Sequence, residues 1–520
     1  MIVRAPEKDL TIPLVPLTPF LLERAPALGD KPALIDGPSG RTLTYRGLAD
    51  AVRRAAAGLA ARGFRQNDVF AIYSPNLPEY AIAFHAVSLA GGINTTINPL
   101  YTPAELGQQL KDCGARALVT VPACLEKAAQ AARDAGVREL YVFGEADGAI
   151  PFASLLAGGG EPPAVTFDPR EQLVALPYSS GTTGLPKGVM LTHHNLVANV
   201  IQSACVLKLA DTDVMLGVLP FFHIYGMVAV MNLALYQGVT LVTMPRFDLE
   251  QCLQIMQTYN VSFANVVPPL VLALAKSPLV DKYDLSRLHT LVSGAAPLSE
   301  ALASATAARL RCRVIQGYGL TETSPVTHVT RLDGGPAKLG GIGPPIPNTE
   351  SKVVDLTTGA ELGPRQEGEI CVRGPQVMRG YLNRPDATKA MIDSDGWLHT
   401  GDIGYFDEDG CFFIVDRLKE LIKYKGMQIA PAELEAVLIS HPSIADAAVI
   451  PIASEESGEA PKAFVVLKAE IAPDSIMSYV AERVAPYKKL RAIEVIDQIP
   501  KSPAGKILRR VLIERERART

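Results

Sequence analysis

The stretch Ser179-Ser180-Gly181-Thr182-Thr183-Gly184-Leu185-Pro186-Lys187-Gly188 follows directly on a short apolar run, Leu173 to Tyr178. The apolar run predicts a buried β-strand, and the ten residues after it predict a loop that binds phosphate. Small residues allow backbone N–H groups to converge on a phosphate without obstruction by Cβ atoms, and Lys187 adds a positive charge. The stretch is not a P-loop of the GxxxxGK[ST] type, because Pro186 stands where the second glycine of that pattern would be.

Similar apolar runs alternate with alanine-rich stretches along the first 400 or so residues. Strands are predicted at Val69 to Tyr73 and Ala117 to Val121, and helices at Glu79 to Ala90 and Cys124 to Ala135. This alternation predicts an α/β fold with a large N-terminal body of parallel or mixed sheets flanked by helices. Ligand sites of parallel sheets lie in loops at the carboxyl ends of strands, and the glycine-rich loop falls at such an end. Thr192 is the predicted N-cap of the next helix.

The composition is that of a globular protein with large cores. The 520 residues are 48% hydrophobic and 20% charged, which argues against disorder as the dominant state. The net charge of −4 is too balanced to indicate a protein that binds nucleic acid through charge alone. The seven dispersed cysteines form no CxxC pair, so we expect reduced thiols, no structural zinc site and a cytoplasmic location.

Residues 214–245 carry no Asp, Glu, Lys or Arg, and a membrane-spanning segment is one interpretation of this stretch. Pro220, His223 and Asn232 interrupt it, and no unbroken apolar run reaches about 18 residues. A buried strand–helix–strand is therefore the preferred prediction. The N-terminal residues lack a basic region followed by an apolar run, so no signal peptide is expected.

A change in composition near residue 416 predicts a domain boundary. The strand-like run Cys411 to Val415 ends in Asp416-Arg417-Leu418-Lys419, and residues 417–520 then carry a net charge of +3 against −7 for residues 1–416. We predict a large N-terminal body, 1–416, and a small, mobile α+β C-terminal domain, 417–520. A helix is predicted to begin at Ile507.

Five segments, in order, resemble the motifs of the adenylate-forming superfamily of acyl-CoA ligases, adenylation domains and firefly-type luciferases. They are Tyr178 to Val189, Gly317 to Glu322, Gly396 to Asp402, Asp416 to Lys423 and Pro500 to Lys506. The resemblance spans essentially the whole chain. It implies an enzyme that uses ATP and Mg²⁺ to convert a carboxylic acid into an acyl-adenylate, with release of pyrophosphate. The acyl group would then pass to the thiol of CoA, releasing AMP.

By this resemblance, residues of the shared motifs surround the nucleotide. Glu322 would hold Mg²⁺, Asp402 the ribose, and Lys506 the carboxylate and α-phosphate oxygens during adenylation. The implied ATP- and AMP-binding set is Ser179, Ser180, Gly181, Thr182, Thr183, Gly184, Lys187, Gln316, Gly317, Tyr318, Thr321, Asp402 and Arg417. In isolation, these residues would be read as a flexible Ser/Gly turn and solvated charges, and the order of the motifs argues against that reading.

The two-step reaction implies that the C-terminal domain moves. Lys506 must leave the site before a thiol can enter, and a rotation about Lys419 as the hinge would achieve both. The resemblance also implies that Lys423 and Gln428 line the active face as catalytic residues. The residues implied on the CoA side are Arg246, Lys425 and Gly426.

The segment Phe221 to Met227 resembles the 4-coumarate–CoA ligase branch, in which a histidine, here His223, orients the carboxylate. A satisfied core histidine is the alternative interpretation. The implied acyl pocket consists of Tyr225, Ala229, Ala295, Gly317, Pro325 and Val326. Small residues suit a flat phenylpropenoate, and Ala229 stands where serine is frequent in the branch. Because a hydroxyl partner is lost there, cinnamate is expected to rival 4-coumarate.

Several alternatives stay open at this point. A medium-chain fatty acid–CoA ligase would carry the same motifs, and an adenylation enzyme could load a carrier-protein thiol instead of CoA. A luciferase-like oxygenase and a catalytically inactive ligand sensor are further classes on the same scaffold. The expected partners are a small carboxylic acid, ATP and CoA, with no nucleic acid and no membrane span. The chain could be a monomer or a homodimer.

Overall fold

The computed structural model describes residues 1–179, 186–331, 340–418, 420–424, 427–454, 458–484, 486–502 and 505–518. The α-helices of these residues are α1 (Leu17–Leu21), α2 (Ala25–Leu28), α3 (Tyr45–Ala61), α4 (Pro78–Leu89), α5 (Pro103–Asp112), α6 (Leu125–Ala135), α7 (Ser154–Ala157), α8 (His193–Leu207), α9 (Leu233–Gln237), α10 (Leu249–Thr258), α11 (Pro268–Lys276), α12 (Glu300–Leu310), α13 (Pro385–Met391), α14 (Pro431–Ser440), α15 (Pro473–Ala481) and α16 (Arg509–Arg517). A π-helix, Tyr225–Asn232, runs directly into α9.

The strands of the described residues are β1 (Val3–Arg4), β2 (Pro32–Asp36), β3 (Thr42–Thr44), β4 (Val69–Tyr73), β5 (Ile93–Ile97), β6 (Ala115–Thr120), β7 (Glu139–Val142), β8 (Ile150–Pro151), β9 (Leu173–Ala175), β10 (Tyr178–Ser179), β11 (Lys187–Thr192), β12 (Val214–Gly217), β13 (Thr240–Thr243), β14 (Phe263–Val266), β15 (Thr290–Ser293), β16 (Arg313–Gly319), β17 (Val326–Val329), β18 (Glu350–Val354), β19 (Gly368–Arg373), β20 (Gly380–Tyr381), β21 (Leu398–Phe406), β22 (Phe412–Arg417), β23 (Ile422–Tyr424), β24 (Met427–Ile429), β25 (Ile444–Ser454), β26 (Gly458–Leu467) and β27 (Ala492–Val495).

Two large sheets form most of the body. Sheet I has the order β10-β11-β9-β5-β4-β6-β7-β8, with β20 paired to β11, and sheet II has the order β17-β16-β15-β14-β12-β13-β2-β3. Their central pairs are parallel. The pairs β10–β11, β11–β9, β17–β16 and β2–β3 toward the edges are antiparallel, whereas the edge pair β7–β8 of sheet I is parallel. One hydrophobic cluster joins buried residues of both sheets to helices α3, α4 and α8. The prediction of an α/β body with parallel or mixed sheets and flanking helices is therefore confirmed.

Two smaller sheets complete the described fold. Sheet III, with the order β1-β18-β19-β21-β22, is antiparallel throughout. Sheet IV has the order β24-β23-β26-β25 with β27 on β26, and together with α14–α16 it forms what we call the C-terminal module. The predicted boundary between residues 416 and 417 falls one residue before the end of β22, where Arg417 pairs with Asp402 in sheet III.

Local sequence explains why several predicted elements form. All five residues of Val69–Tyr73 are buried, as expected for a central parallel strand covered on both faces. Thr192 caps α8, because its Oγ1 accepts the N–H of Asn195 at 3.2 Å and the Asn195 side chain accepts the Thr192 N–H at 2.9 Å. Residues 214–245 form the predicted strand–helix–strand.

Several predicted boundaries were wrong. The strand predicted at Ala117 to Val121 begins at Ala115 and ends at Thr120. The run Leu173 to Tyr178 is not one strand, since β9 ends at Ala175 and β10 begins at Tyr178. Pro177 lies between them and has no N–H with which to continue a ladder. The last helix begins at Arg509 instead of Ile507, because Ile507 forms a β-bridge with Lys501 that closes the loop before the helix.

All seven cysteines are free thiols; five are buried, and Cys124 and Cys205 are partly buried. Among the helices of the described ranges, none has the length and apolar character required to cross a bilayer.

Three histidines of the body are buried, and burial lowers the pKa of His85, His193 and His328 to about 3. An unfolded histidine has a pKa of about 6.5, so the unfolded chain binds more protons below that pH. The stability that these neutral side chains contribute is therefore complete above about pH 6.5 and is lost as the pH falls toward about 3.

We predict that His85→Gln weakens the acid sensitivity of the fold. At pH 5, protonation of His85 in the unfolded chain lowers the free energy of unfolding by about 2 kcal/mol. Glutamine takes up no proton in this range, so the variant would not lose that stability. Chemical unfolding at pH 7 and pH 5 measures the difference. A variant that loses as much stability as the wild type between the two pH values would contradict the assignment.

Candidate active site

A cavity of about 520 Å³ lies where the body meets the C-terminal module, within the range of about 300–1,000 Å³ found for ligand sites. Its wall includes residues at or just beyond the carboxyl ends of β14, β15 and β16, where ligands of parallel sheets bind. The π-helix and strand β21 of sheet III contribute further residues. Ser502 and Lys506 line the cavity from the C-terminal module.

The polar lining includes a carboxylate held by a tyrosine. Glu322 lies in the short 3₁₀ turn Thr321–Thr323 and is 6% exposed. The hydroxyl of Tyr381 donates a 2.6 Å hydrogen bond to Glu322 Oε1. Burial and the adjacent Glu322 carboxylate raise the pKa of Tyr381, so the hydroxyl stays protonated and acts as the donor. Lys187 also lines the cavity, with its Nζ 4.3 Å from the centre of the Tyr381 ring.

The carboxylate of Glu322 is suited to a magnesium ion. Mg²⁺ in proteins is bound by one or two carboxylates together with waters and substrate phosphates. A carboxylate oxygen that accepts one hydrogen bond keeps further lone pairs for a ligand. The donor set at Glu322, with Thr321 beside it in the cavity wall, therefore fits Mg²⁺ bound with a nucleotide.

A second carboxylate, Asp402, is held in a similar way. Asp402 is 3% exposed, lines the cavity, and accepts a 2.6 Å hydrogen bond from the hydroxyl of Tyr318. The adjacent Gly401 N–H donates to Glu369 Oε1 at 2.9 Å, and His399 Nδ1 lies 2.9 Å from the other oxygen of Glu369. This network orients the backbone that carries Asp402, so the carboxylate is presented in one direction.

Lys506 reaches the cavity on a closed loop. Ser502 and Lys506 are joined by backbone and side-chain hydrogen bonds of 2.7 and 3.2 Å, and Lys501 bridges to Ile507. Gly505 has a φ of +77°, and a Cβ atom there would lie 3.3 Å from Pro269 Cδ of α11. Glycine therefore allows both the turn and the close approach to the body that brings Lys506 to the cavity.

His223, which lines the cavity, is neutral at physiological pH. Burial lowers the pKa of His223 to about 4. The Tyr225 N–H donates to His223 Nδ1 at 3.3 Å, which leaves the ring proton on Nε2. Tyr225 begins the π-helix, and its hydroxyl donates to the Val292 carbonyl at 3.0 Å. A neutral imidazole with an N–H at Nε2 can donate to a carboxylate oxygen.

Two glycines of β16 differ in what their missing Cβ atoms would touch. A Cβ at Gly319 would lie 1.8 Å from the Pro325 carbonyl oxygen, so glycine is required there by the fold itself. A Cβ at Gly317 would meet no protein atom closer than 3.6 Å, although Gly317 lines the cavity. The space beside Gly317 therefore belongs to the cavity and not to protein packing.

The structure brings most of the predicted site residues to this one cavity. Those that line it are Ser179, Lys187, His223, Tyr225, Ala229, Ala295, Gly317, Tyr318, Thr321, Glu322, Pro325, Val326, Asp402 and Lys506. The Gln316 side chain is buried beneath the wall instead, and it bonds to the Leu298 N–H at 3.1 Å and the Gly341 carbonyl at 3.4 Å. Arg246 is exposed just after β13 and is not among the lining residues.

The remaining predicted residues are not tested by this geometry. Lys423 and Gln428 pair through their backbones in the β23–β24 hairpin, and Arg417 pairs with Asp402. The side chains of these three residues lie outside the described part of the structure. The predicted residues that lie outside the described ranges altogether are Ser180, Gly181, Thr182, Thr183, Gly184, Lys419, Lys425 and Gly426.

Some lining residues were missed in the sequence. Tyr381, Glu369 and Asn265 line the cavity but sit in short strands without an adjacent glycine-rich signature. His399 also lines it and could have been found, because it belongs to the predicted ribose segment Gly396 to Asp402. Both ends of the Asn265 amide have partners in the protein. Nδ2 donates to the Ala229 carbonyl at 3.0 Å, and Oδ1 lies 3.3 Å from the Tyr225 hydroxyl, which shares its proton with the nearer Val292 carbonyl.

Comparison with known proteins defines the family. The model of the AMP-binding enzyme family matches residues 21–382, and the model of the AMP-binding enzyme C-terminal domain matches residues 433–506. The chain belongs to the family of AMP-binding enzymes. Among curated relatives it is 45% identical to the 4-coumarate–CoA ligase of Pinus taeda, over 96% of this chain and 95% of the relative. It is also 45% identical to 4-coumarate–CoA ligase 5 of Oryza sativa subsp. japonica, over 97% and 95%.

Two solved structures of similar fold contain a nucleotide or an acyl-adenylate. The anthranilate CoA ligase AuaEII in complex with anthranoyl-AMP has a TM-score of 0.90 at 25% identity, covering 98% of each chain. ATP-bound MatB from Rhodopseudomonas palustris has a TM-score of 0.86 at 29% identity, covering 95% of this chain and 98% of that one.

We predict that Gly319→Ala and Gly317→Ala differ sharply in stability. The Cβ of G319A would overlap the Pro325 carbonyl, so backbone must move and the fold should lose at least about 2 kcal/mol. G317A has room for its Cβ and should keep its unfolding midpoint. Thermal unfolding of both variants measures this, and equal midpoints would refute the assignment of the two sites.

Proposed function

We propose that the protein is a 4-coumarate–CoA ligase-like enzyme that activates a 4-coumarate- or cinnamate-type acid. It is an ATP-dependent, AMP-forming acid–CoA ligase that uses Mg²⁺ and CoA. The observation that carries the proposal is the single cavity, in which Lys187, Glu322, Asp402 and Lys506 share a wall with His223 and the apolar residues around Tyr225. Curated 4-coumarate–CoA ligases at 45% identity over nearly the full chain support the same reaction.

In the first step, a carboxylate oxygen of the acid attacks the α-phosphorus of ATP and pyrophosphate leaves. Negative charge accumulates on the phosphate oxygens in the transition state, so placing positive charge beside them lowers the barrier. Lys506 would contact the carboxylate and α-phosphate oxygens, and Lys187 the outer phosphates. When bound at Glu322, Mg²⁺ would neutralise phosphate charge. Asp402 would accept the ribose hydroxyls, and the Nε2–H of His223 would orient the carboxylate.

In the second step, the CoA sulfur attacks the acyl carbon and AMP leaves. Lys506 occupies the cavity wall together with Ser502, so the C-terminal module must move before a thiol can approach along that side. Rotation about Lys419 would withdraw Lys506 and present the β23–β24 hairpin, with Lys423 and Gln428, to the cavity. Lys425, Gly426 and the exposed Arg246 would contact CoA.

The acyl slot suits a flat aromatic acid without demanding a ring hydroxyl. Gly317, Ala229 and Ala295 offer small walls, and Pro325 and Val326 an apolar side. The Asn265 amide, which is the polar group beside Ala229, is already bonded at both ends within the protein. A ring hydroxyl therefore gains little there, and we propose that cinnamate is used comparably to 4-coumarate.

Two alternatives use another acid or another acyl acceptor. A medium-chain fatty acid–CoA ligase would fill the same apolar walls with an alkyl chain, and a carrier-protein thiol could replace CoA. We also propose a cytoplasmic location, because the dispersed thiols are all free.

A panel of acids tests the substrate class. Cinnamate, 4-coumarate, caffeate, benzoate and octanoate are each supplied with ATP, Mg²⁺ and CoA, and AMP release is followed. We expect cinnamate and 4-coumarate to have kcat/KM values within about tenfold of each other and above the other three, because the slot is flat and apolar. A higher value for octanoate would favour the fatty acid ligase, and turnover only with a pantetheinylated carrier protein would favour the carrier-loading enzyme.

Lys506→Ala separates the two half-reactions. Loss of one charged donor at the transition state should slow pyrophosphate exchange by at least about 100-fold, while supplied acyl-adenylate is still converted to the thioester. Arg510→Ala is the control, because Arg510 is exposed on α16 and its side chain pairs with Glu514 on the same helix at 2.8 Å. Pyrophosphate exchange by K506A at a rate close to that of R510A would contradict the role of Lys506.

A further inference from the structure

Tyr381 lines the cavity but belongs neither to the glycine-rich loop nor to the turn Thr321–Thr323 that carries Glu322. It lies in the two-residue strand β20, which pairs with β11, the strand that leaves the glycine-rich loop. The Val189–Tyr381 pair and the 2.8 Å hydrogen bond from Leu382 N–H to the Gly188 carbonyl fix β20 against β11. The side chain is 4% exposed and lines the cavity. Because its backbone is paired with β11 and its side chain is buried, Tyr381 can hold the groups that contact it in fixed positions.

Tyr381 contacts two charged groups of opposite sign. Its hydroxyl donates to Glu322 Oε1 at 2.6 Å, a short bond of the charge-assisted kind. The Lys187 ammonium lies 4.3 Å from the ring centre, within the range of a cation–π contact. Within the described residues, Lys187 and Glu322 do not form an ion pair with each other. The two charges are instead each held by a different part of one side chain.

We propose that Tyr381 is a positioning residue for the nucleotide site, which orients Glu322 through its hydroxyl and Lys187 through its ring. The inference rests on the proposed function, in which Glu322 binds the metal and Lys187 the phosphates. Without the contacts to Tyr381, the Lys187 ammonium and the Glu322 carboxylate could form an ion pair and neutralise each other's charge before a ligand binds. Holding them separately keeps a carboxylate for the cation and an ammonium for the phosphate, and reduces the rotamer entropy lost on binding.

The two contacts can be removed one at a time. Tyr381→Phe keeps the ring under Lys187 and removes the hydroxyl, and with it the bond to Glu322 and the hydrogen bond with Ser179. Tyr381→Leu removes both the donor and the ring. Tyr141→Phe is the matched control, because the Tyr141 hydroxyl donates to Glu139 at 2.9 Å in strand β7, and neither residue lines the cavity.

Binding of α,β-methylene ATP, measured by calorimetry with and without Mg²⁺, is the readout. For Y381F we expect the dissociation constant with Mg²⁺ to rise about tenfold, as for loss of a hydrogen bond to a charged group, and the constant without Mg²⁺ to stay within about twofold. For Y381L we expect both constants to rise, since Lys187 is released as well. The dissociation constants of Y141F should equal those of the wild type with and without Mg²⁺, even if its unfolding midpoint is lower.

Two results would overturn the inference. Y381F with the Mg²⁺ dependence of the wild type would show that the hydroxyl does not orient Glu322 for the metal. Y381L with wild-type affinity in the absence of Mg²⁺ would show that the ring does not position Lys187. A wild-type protein that binds the analogue as expected but releases no AMP with any acid would contradict the proposed function and leave these binding results interpretable.

Discussion

Joining a carboxylate to a triphosphate requires that two anions approach each other. The charged residues that line the cavity can be understood from the need to offset this repulsion. The cations come from two separate parts of the chain. Lys187 follows the glycine-rich loop of sheet I, and Lys506 arrives on a loop of the C-terminal module that touches the body at Pro269. Because one of the two lysines belongs to a separate module, the proposed mechanism would place its positive charge in the cavity for the first step and withdraw it for the second.

The two buried carboxylates of the cavity must keep their negative charge in the protein interior. Glu322 and Asp402 are both almost fully buried, and each accepts a 2.6 Å hydrogen bond from a tyrosine hydroxyl, Tyr381 and Tyr318 respectively. A buried carboxylate without partners would take up a proton or pair with the nearest lysine. A neutral hydroxyl stabilises the charge of a carboxylate without cancelling it, so under the proposed mechanism Glu322 would keep its charge for a cation. Among the described residues, Lys187 and Glu322 thus line one cavity without forming an ion pair with each other.

The sequence predicted this arrangement unevenly, for physical reasons. Val69–Tyr73 was identified to the residue, because a continuous apolar run is typical of a strand that is buried on both faces. The motif residues were found because glycine, hydroxyl and charged residues lie next to one another in the chain. Tyr381 was not found, since it sits in a two-residue strand and meets Glu322 across 59 residues of chain. Gln316 is the reverse case, because the resemblance implied that it binds the nucleotide and its side chain faces the protein interior.

The central claim is that one cavity holds the acyl group and the nucleotide while Lys506 closes over them. A crystal structure with 5′-O-[N-(4-coumaroyl)sulfamoyl]adenosine, a stable mimic of the acyl-adenylate, tests it most directly. The account predicts the coumaroyl ring against Tyr225 and Gly317, the ribose at Asp402 and the sulfamoyl group beside His223. Electron density for the analogue outside this cavity, or with the ring and the ribose exchanged, would contradict it.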